Sequence, residues 1–479
     1  MSKSSYFPKE FLFGSAAAAY HFEGGFGKDG KGASVADVIP HAPSEGRTTV
    51  PEDGNLKHRA VEFYERYKDD VKLFGELGLK AFRTSIAWTR IYPKGIEEEP
   101  NEKGLQFYDD LFDALHEQGI EPIITITHSA EMPLYLAEHY NGFANKKVIE
   151  FYLKYVRTVV NRYKGKVKYW LTFNEVNIVA HEPFFHAGVA QYKEPVDDNL
   201  KYQIFHNMFV ANSKAIRIIK EIEPDAMVGC TTTIGPIYPL TPKPEDGLQA
   251  YFDMREMLFH IDVHVFGKYP DYKLKEFKEK KLKLDITDEE LQIIKENTVD
   301  FVAYSYYMSG VSSFNRSNSK VRDVNIISKM SNPELKKNEW GWTYDPVGLR
   351  TILNIVWDRY RLPEFIVENG ISKPENLEIG INGQLTVYDD YRIEGLRDYL
   401  LQINEAIHDG VQVIGYTNWA VMDFVSGSTG TMRKRWGFIF VDYYDDKTGS
   451  MKRFKKLSFD WYRKVIDSNG AFLFEEKQY

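Results

Sequence analysis

The stretch at residues 61–88, VEFYERYKDDVKLFGELGLKAFRTSIAW, contains the unit that decides the fold. Apolar side chains recur in its first part at spacings of three or four residues, which predicts the buried face of an amphipathic helix. These side chains are Val61, Tyr64, Tyr67, Val71, Phe74 and Leu77. We expect Gly78 to end that helix. Residues 79–88 are then nearly continuous in apolar character, as a parallel strand buried on both faces should be.

The same order of helix, glycine or proline, and short apolar strand recurs along the whole chain. Strands are predicted at residues 11–20, 79–88, 120–128, 167–175, 226–233, 299–307, 364–370 and 411–421. Buried strands that alternate with helices in this way predict an α/β fold. We expect a single (β/α)8 TIM barrel over residues 1–479, with elaborated loops at the C-terminal face of the strands. A doubly wound sheet is disfavoured, because no glycine-rich dinucleotide fingerprint follows any strand.

The composition of the chain limits its partners and its compartment. The net charge is −8, so the overall field repels nucleic acid and anionic membranes, and neither is expected as a partner. Cys230 is the only cysteine, which excludes a disulfide framework and favours a reducing, cytoplasmic compartment. The spacing of histidines and cysteine matches no metal site, and we expect neither metal nor cofactor. The sequence leaves a homo-oligomer open.

Residues 11–25, FLFGSAAAAYHFEGG, imitate a secretory signal peptide, because an apolar core is followed by small residues. That core is short, is interrupted by Gly14 and continues into aromatic and acidic residues. We therefore expect the first barrel strand here rather than a cleaved leader. Elsewhere in the chain, no apolar run approaches the roughly 18 to 20 residues needed to span a bilayer.

Two carboxylates stand at the ends of predicted strands. Glu175 ends the fourth strand and Glu368 the seventh, and each has an asparagine as a neighbour in FNE and ENG. In a barrel, the C-terminal ends of the strands meet around one mouth. Two carboxylates that face each other there are the minimal machinery for glycoside hydrolysis. The alternative is that each is an ordinary solvated loop glutamate.

At this point the chain resembles the glycoside hydrolase family 1 β-glycosidases over essentially its whole length. The motifs that carry the resemblance are FLFGSAAAAYHFEGG, RTSIAWTRIYP, TFNE, YYMS, IVENG, DYRIEGL and GYTNWAVMD, in this order. The resemblance implies a retaining mechanism on a (β/α)8 barrel. It also implies that Glu175 is the general acid/base and Glu368 the nucleophile.

Further roles follow from the same resemblance. Asn174 would bond the sugar 2-hydroxyl, and His128 would bond another hydroxyl. Trp419, at a strand end, is a candidate for stacking on the apolar face of the sugar. His21 replaces the glutamine that the family usually carries, and we expect it to donate a hydrogen bond to a sugar hydroxyl.

The family pattern places Arg83 and Tyr307 beside Glu368, where they would hold its carboxylate ionised. An ionised Glu368 disfavours ionisation of a second carboxylate close by, which keeps Glu175 a proton donor. Once Glu368 becomes a neutral glycosyl ester, that repulsion disappears. Glu175 can then ionise and act as a base toward water.

The segment SGSTGTMRKRW at residues 426–436 points to the sugar. Ser426 stands where ordinary β-glucosidases carry a glutamate that holds the 4- and 6-hydroxyls, and Lys434 follows eight residues later. In this respect the chain resembles the 6-phospho-β-glucosidases of the family, which implies that Ser426 and Lys434 bind a 6-phosphate. Trp436 stands where those enzymes have a tyrosine, and its indole N–H replaces the hydroxyl only if it points inward. The small Gly427 favours a gluco over a galacto sugar.

We therefore expect retaining hydrolysis of 6-phospho-β-D-glucosides, such as cellobiose 6-phosphate, to glucose 6-phosphate and an aglycone. The alternatives are a β-glucosidase on unphosphorylated sugars, a 6-phospho-β-galactosidase and a non-catalytic carbohydrate-binding relative. A further alternative treats the sequence RKR as a solvated basic turn. Arg433 and Arg435 are interpreted as surface charges.

Overall fold

The computed structural model of the chain describes residues 7–315, 330–381 and 383–475. Its core is a parallel barrel, whose strands we number in chain order. They are β1 Leu12–Ala16, β2 Ala81–Ser85, β3 Glu121–Thr127, β4 Tyr169–Phe173, β5 in the two halves Met227–Gly229 and Thr231–Thr233, β6 Val302–Ser305, β7 Glu364–Asn369 and β8 Val413–Trp419. Each of them lies within or overlaps a stretch predicted as a strand, so the predicted (β/α)8 barrel is confirmed.

The barrel closes through the interrupted fifth strand. β1 pairs in parallel with both β2 and β8. The first half of β5 pairs with β4, and the second half pairs with β6. Cys230, which separates the two halves, is buried, so the break redirects the chain from one neighbour to the other without opening the wall.

Ten helices of nine or more residues are present in the described part of the chain. They are α1 Phe63–Glu76, α2 Glu102–Glu117, α3 Lys147–Arg162, α4 Asp198–Ile222, α5 Pro244–Phe266, α6 Asp271–Glu279, α7 Asp288–Glu296, α8 Pro346–Tyr360, α9 Asp390–Asp409 and α10 Leu457–Asp467. Shorter helices cover Ala19–Phe22, Trp88–Ile91, Leu134–Tyr140 and Pro183–Ala187. In the described ranges, no helix is both long and apolar enough to cross a membrane.

The helix of the opening stretch begins two residues later than its apolar pattern. Glu62 has a left-handed φ of 59°, so the chain turns there and α1 starts at Phe63. Gly78 follows the end of α1 with a φ of 83°, a conformation that glycine adopts without steric cost. The prediction that Gly78 ends the helix is therefore confirmed, and the turn at Gly78 leads the chain into β2.

The loops at the C-terminal face of the barrel carry small elements of their own. The strands Ile237–Pro239 and Gly310–Ser312 pair in parallel and extend the β5 and β6 side of the mouth. Two antiparallel hairpins follow later in the chain, Glu378–Ile379 with Leu385–Thr386 and Ile439–Val441 with Arg453–Lys455. The segment between β8 and the second hairpin contains Ser426 and Lys434, so it closes one side of the mouth.

Candidate active site

Glu368 lies in β7 with its carboxylate buried among three polar partners. Arg83 in β2 donates from Nη1 to Glu368 Oε1 at 2.6 Å, and the Tyr307 hydroxyl donates to Oε2 at 3.0 Å. His128 Nε2 lies 3.3 Å from Oε1. Both oxygens of this carboxylate are therefore fixed from different sides of the barrel.

Arg83 also connects the strands around that carboxylate. Its Nη2 donates to Asn174 Oδ1 at 2.7 Å, and its Nε donates to Thr125 Oγ1 at 3.1 Å. The guanidinium is completely buried. A planar fork of donors suits this task, because a single side chain can orient a carboxylate and an amide at once. Asn174, which lines the cavity, is thereby held through its amide oxygen.

The two glutamates have opposite electrostatic surroundings. Burial opposes ionisation of Glu368, but the charge of Arg83 and the hydrogen bond from His128 outweigh it and hold the pKa of Glu368 below its usual range. Burial, and then the negative charge of Glu368, raise the pKa of Glu175 to about 8. At neutral pH the pair therefore consists of one carboxylate and one protonated acid.

Glu175 follows β4 in a left-handed conformation, with a φ of 44°. Non-glycine residues adopt this region at a cost of about 1 kcal/mol or more, and such residues cluster at functional sites. The turn starts a short helix at Val176–Ile178 and leaves the Glu175 carboxyl in the same cavity as Glu368. The two strand-end glutamates are therefore brought together.

The cavity between them encloses about 200 Å³ and opens at the barrel mouth. The predicted site residues that line it are His21, His128, Asn174, Glu175, Tyr307, Glu368, Trp419, Ser426 and Trp436. Arg83 lies behind Glu368 and acts on the cavity through that carboxylate. Lys434 lies at the far end, next to Ser428, which lines the cavity as well.

The indole of Trp419, the residue predicted to stack on the sugar, lines the cavity. It stacks on His128 with ring centroids 5.8 Å apart at 17°, and it meets His21 edge to face at 5.3 Å. Both histidines are buried. The three aromatic rings therefore hold each other in place at the cavity wall.

His21 differs from its predicted behaviour. Its Nδ1 lies 2.6 Å from the carbonyl oxygen of Val425, which can only accept, so Nδ1 carries the proton. Burial lowers the pKa of His21 to about 3, and the ring is neutral. Its Nε2 is then left with a lone pair. The expectation that His21 donates to a sugar hydroxyl is corrected accordingly, because at Nε2 it can only accept.

Gly427 is in close contact with the same histidine. A Cβ at position 427 would lie 2.7 Å from His21 Cε1 and 2.7 Å from the Tyr20 hydroxyl. Both distances are shorter than real Cβ contacts allow. His21 and Tyr20 therefore occupy the space into which a larger residue at 427 would project.

We expect Gly427→Ala to lower kcat/KM by roughly tenfold to a hundredfold on every glycoside, because the methyl group displaces His21 or Tyr20 from the sugar. Steady-state kinetics on an aryl glycoside measures the effect. Gly247→Ala is the matched control, because no heavy atom lies within 4 Å of a Cβ at that position. Unchanged kinetics in Gly427→Ala would contradict the packing described for His21.

Lys434 is buried without a carboxylate partner among the described residues. Its Nζ donates to Ser428 Oγ at 3.1 Å and lies 4.7 Å and 4.9 Å from the ring centres of Trp340 and Trp342. Only 4% of the residue is exposed, and this burial lowers the pKa of Lys434 to about 8. A buried ammonium is costly unless an opposite charge is present. The surroundings of Lys434 thus favour an anionic ligand.

The other two basic residues of the segment have different positions. Arg433 is exposed, as predicted for a surface charge. Arg435 is buried, and it donates to the carbonyl oxygens of Val441 and Tyr443 at 2.8 Å and 2.7 Å. The interpretation of Arg435 as a surface charge is wrong, and so is that of RKR as a solvated turn. Arg435 uses its donors to hold the segment to the following hairpin.

Arg392, a buried arginine of the DYRIEGL motif, holds the segment at residues 426–436 through its backbone. Arg392 Nη1 donates to the carbonyl oxygens of Ile371 and Trp436 at 2.6 Å and 2.7 Å, and Nη2 donates to that of Arg435 at 3.1 Å. Arg392 thereby joins the loop after Glu368 to the backbone at Trp436. The Trp436 ring packs between Tyr307 and Trp342, with centroids 5.7 Å and 5.9 Å away.

Several residues of the cavity were missed by sequence reasoning. Tyr20, Ser129, Ile178, Glu182, Phe185 and His186 also line it. Tyr20 lies beside His21 in a quoted motif, so its proximity to the site was a usable signal. The last four follow β4 in two short helices and the turn between them, and no spacing rule points to them.

Comparisons with known proteins agree with this geometry. Residues 3–471 match the protein family described as Glycosyl hydrolase family 1. The chain belongs to glycosyl hydrolase family 1. As a family 1 enzyme it shares its fold with a β-glucosidase from Thermotoga maritima, at a TM-score of 0.82 and 29% identity, over 98% of this chain and 100% of that one.

Two curated relatives of this family 1 chain have names that include a phosphorylated sugar. The chain is 48% identical to a 6-phospho-β-glucosidase of Clostridium longisporum, over 99% of this chain and 100% of the relative. It is 46% identical to an aryl-phospho-β-D-glucosidase of Bacillus subtilis, over 98% of this chain and 100% of the relative. The predicted family is confirmed by these matches.

Proposed function

We propose that the enzyme hydrolyses the β-glycosidic bond of 6-phospho-β-D-glucosides, such as cellobiose 6-phosphate, with retention of configuration, and releases glucose 6-phosphate and an aglycone. The observation that carries the proposal is the buried ammonium of Lys434, which has no carboxylate partner in the described part of the chain and lies at the end of the cavity that contains Glu175 and Glu368. A sugar 6-phosphate supplies the missing anion. The names of the two curated relatives support the same substrate class.

In the first step, the Glu368 carboxylate attacks the anomeric carbon and forms a glycosyl ester. Protonated Glu175 gives its proton to the departing glycosidic oxygen, so the aglycone leaves as a neutral alcohol or phenol. Glu368 loses its charge in the ester, and the pKa of Glu175 falls. Glu175 then accepts a proton from water as the water oxygen attacks the anomeric carbon, and Glu368 leaves as a carboxylate.

The remaining side chains orient the sugar in this proposal. Asn174 bonds the 2-hydroxyl, and His128 bonds another ring hydroxyl. His21 accepts from a sugar hydroxyl through Nε2, and Trp419 stacks on the apolar face. Ser426, Lys434 and the indole of Trp436 surround the 6-phosphate. Ser426 leaves room there, whereas a glutamate would repel the dianion.

A cytoplasmic reaction fits this substrate, because a phosphorylated sugar does not cross a bilayer unaided. It also fits a chain with a single cysteine, whose thiol is buried. The partner is the small phosphorylated β-glucoside, and nucleic acid is not proposed as one.

The proposed reaction is tested by following cellobiose 6-phosphate and its 6-phospho-galactosyl epimer by proton NMR. We expect β-glucose 6-phosphate as the first product, with mutarotation to the α-anomer following, and much slower cleavage of the galacto epimer. First release of the α-anomer would contradict retention. Equal rates on the two epimers would remove the gluco assignment, and cleavage of neither would favour a carbohydrate-binding relative.

The pH dependence of kcat provides a further test of the acid/base assignment. Glu175 must be protonated to give its proton, so on a substrate for which cleavage of the glycosidic bond is the slow step, kcat is expected to fall as the pH rises through its raised pKa of about 8. Glu368 must be ionised to attack. Because its pKa is lowered, kcat should fall on the acidic side only at a pH below the usual range of a glutamate pKa. Lys434 also titrates near pH 8 in the free enzyme, so kcat is the proper quantity, because bound phosphate keeps the ammonium charged.

The matched control for the pH profile is Glu175→Gln, assayed with an aryl glycoside whose leaving group needs no proton. We expect the alkaline loss of kcat to disappear in this variant. If kcat of Glu175→Gln still falls at high pH as in the unaltered enzyme, a group other than Glu175 causes that fall.

A further inference from the structure

We infer that Asn177 is a positioning residue for Glu175, because its side-chain amide takes the place of a missing strand pairing and holds the acid/base glutamate at its distance from Glu368. This inference deepens the proposed function and depends on it, since Asn177 acts through the proton transfer assigned to Glu175. Asn177 follows Glu175 by two residues and is not among the residues that line the cavity. Its effect on the reaction must therefore be exerted through a neighbour.

The barrel wall between β4 and β5 is the place where such a residue is needed. β4 pairs with the first half of β5 as far as Leu171 and Gly229, and the second half of β5 pairs with β6 instead. In the described part of the chain, the last residues of β4 therefore have no ladder to the last residues of β5. In a closed barrel, such pairing fixes how neighbouring strand ends lie relative to each other. Glu175 follows the strand end that lacks it.

The side chain of Asn177 bridges this position. Its Nδ2 donates to the Thr233 carbonyl oxygen at 2.7 Å, and its Oδ1 accepts from the Thr233 backbone N–H at 2.9 Å. A side-chain amide has the donor and the acceptor of a peptide group, so it can serve as one. Ile234, the next residue, donates from its N–H to the Ser305 carbonyl oxygen on β6 at 3.1 Å. Thr233 thus turns both backbone groups to the β4 side, and Asn177 satisfies both.

The partner of Asn177 lies in register with Glu368. Thr233 is opposite Ser305 in β6, and Ser305 is opposite Glu368 in β7. Adjacent strands lie about 4.8 Å apart. The bonds to Thr233 therefore tie the turn at Glu175 to a point two strand spacings from Glu368. This distance matters, because a retaining mechanism needs the two carboxyl groups about 5 to 5.5 Å apart.

The backbone conformation of Glu175 requires this support. Its φ of 44° is left-handed, and Ile178 N donates to the Glu175 carbonyl oxygen at 3.1 Å where the short helix begins. A residue other than glycine keeps such a conformation only where the surrounding contacts hold it. Asn177 is the middle residue of that short helix, so its bonds to Thr233 fix the helix into which the turn leads. Without them, we expect the turn to relax and the Glu175 carboxyl to move away from the glycosidic oxygen.

We expect Asn177→Ala to lower kcat/KM for phenyl 6-phospho-β-glucoside by roughly thirtyfold to a hundredfold, because a misplaced acid loses most of its contribution to proton transfer. With 2,4-dinitrophenyl 6-phospho-β-glucoside, whose leaving group needs no proton, kcat/KM should change by less than about threefold. Steady-state kinetics on the two substrates measures both values. A residue with a merely structural role would lower them equally.

Asn141→Ala is the matched control for this variant. Asn141 makes the same kind of reciprocal pair with the backbone of Gln191, at 3.4 Å and 2.7 Å, and neither residue lines the cavity. The control should keep the kinetics of the unaltered enzyme on both substrates. Asn177→Asp keeps the test decisive if the alanine variant does not fold, because it retains the acceptor for the Thr233 N–H and loses the donor. We expect about a tenfold loss there, confined to the phenyl substrate.

Glu175→Ala, assayed on the same two substrates, separates a failure of the inference from a failure of the proposed function. We expect its loss of kcat/KM to be confined to the phenyl substrate. If it is, and the Asn177 variants lower kcat/KM equally on both substrates or on neither, the inference is overturned and the proposed function stands. If Glu175→Ala shows no difference between the two leaving groups, Glu175 is not the acid, and the proposed function fails together with the inference.

Discussion

Replacing Glu368 with alanine is expected to lower kcat by about 10⁵-fold, because a positioned nucleophile is worth an effective concentration of that order. The loss should appear on every glycoside, with or without a phosphate. The variant is expected to fold, and circular dichroism and the melting temperature should show an intact barrel. Steady-state and single-turnover kinetics with an aryl 6-phospho-β-glucoside measure the effect.

Azide distinguishes the loss of a nucleophile from general damage. In Glu368→Ala the small anion fits the space of the deleted carboxylate and attacks the anomeric carbon from the same side, so an α-glycosyl azide should form. Glu368→Gln keeps the volume filled and serves as the control that azide does not rescue. Undiminished turnover in Glu368→Ala, or a rescued product of β configuration, would contradict the assignment.

The combined change Ser426→Glu and Lys434→Met is expected to lower kcat/KM on 6-phospho-β-glucosides by about 10³-fold. Each change removes a charge-assisted hydrogen bond worth about 1.5 to 3 kcal/mol. The new carboxylate also repels the phosphate dianion. The unphosphorylated glucoside should be cleaved as well as before or better, because the glutamate can hold its 4- and 6-hydroxyls.

Arg433→Ala is the matched control for this pair. Arg433 is exposed in the same segment, so its loss removes a nearby charge without touching the cavity. We expect it to change kcat/KM on the phosphorylated substrate by less than about threefold, as a screened surface charge should. Equal losses of kcat/KM in Arg433→Ala and in the double variant would show that the positive charge of the segment as a whole, and not a defined phosphate site, binds the substrate.

The barrel was predictable because its signals are local. Helix periodicity, glycine stops and continuous apolar strands recur in every unit, and the structure places β1 to β8 where those signals stand. The exceptions are positions at which the backbone turns sharply. Glu62 delays the start of α1, and the break at Cys230 divides β5. Neither follows from side-chain periodicity, since both depend on how the chain meets its neighbours.

The candidate site was predictable where a residue sits directly at a strand end. Glu175, Glu368 and Asn174 are of this kind, and all three line the cavity. Contacts between loops were not predictable. The proton position on His21 depends on the carbonyl of Val425, which is 404 residues away in sequence.

The basic segment shows the same limit more sharply. Three adjacent cations looked equivalent in sequence, yet Arg433 is exposed, Lys434 packs against a tryptophan of the cavity wall, and Arg435 holds a hairpin. Their directions are set by backbone turns within the segment.

The central claim is that the family 1 site is built for a phosphorylated sugar, and one ratio tests it most directly. That ratio compares kcat/KM for p-nitrophenyl 6-phospho-β-glucoside with kcat/KM for p-nitrophenyl β-glucoside, measured on the unaltered enzyme at neutral pH. Ser426 and Lys434 together predict a ratio of about 10³. A ratio near one, or preference for the unphosphorylated glucoside, would contradict the account.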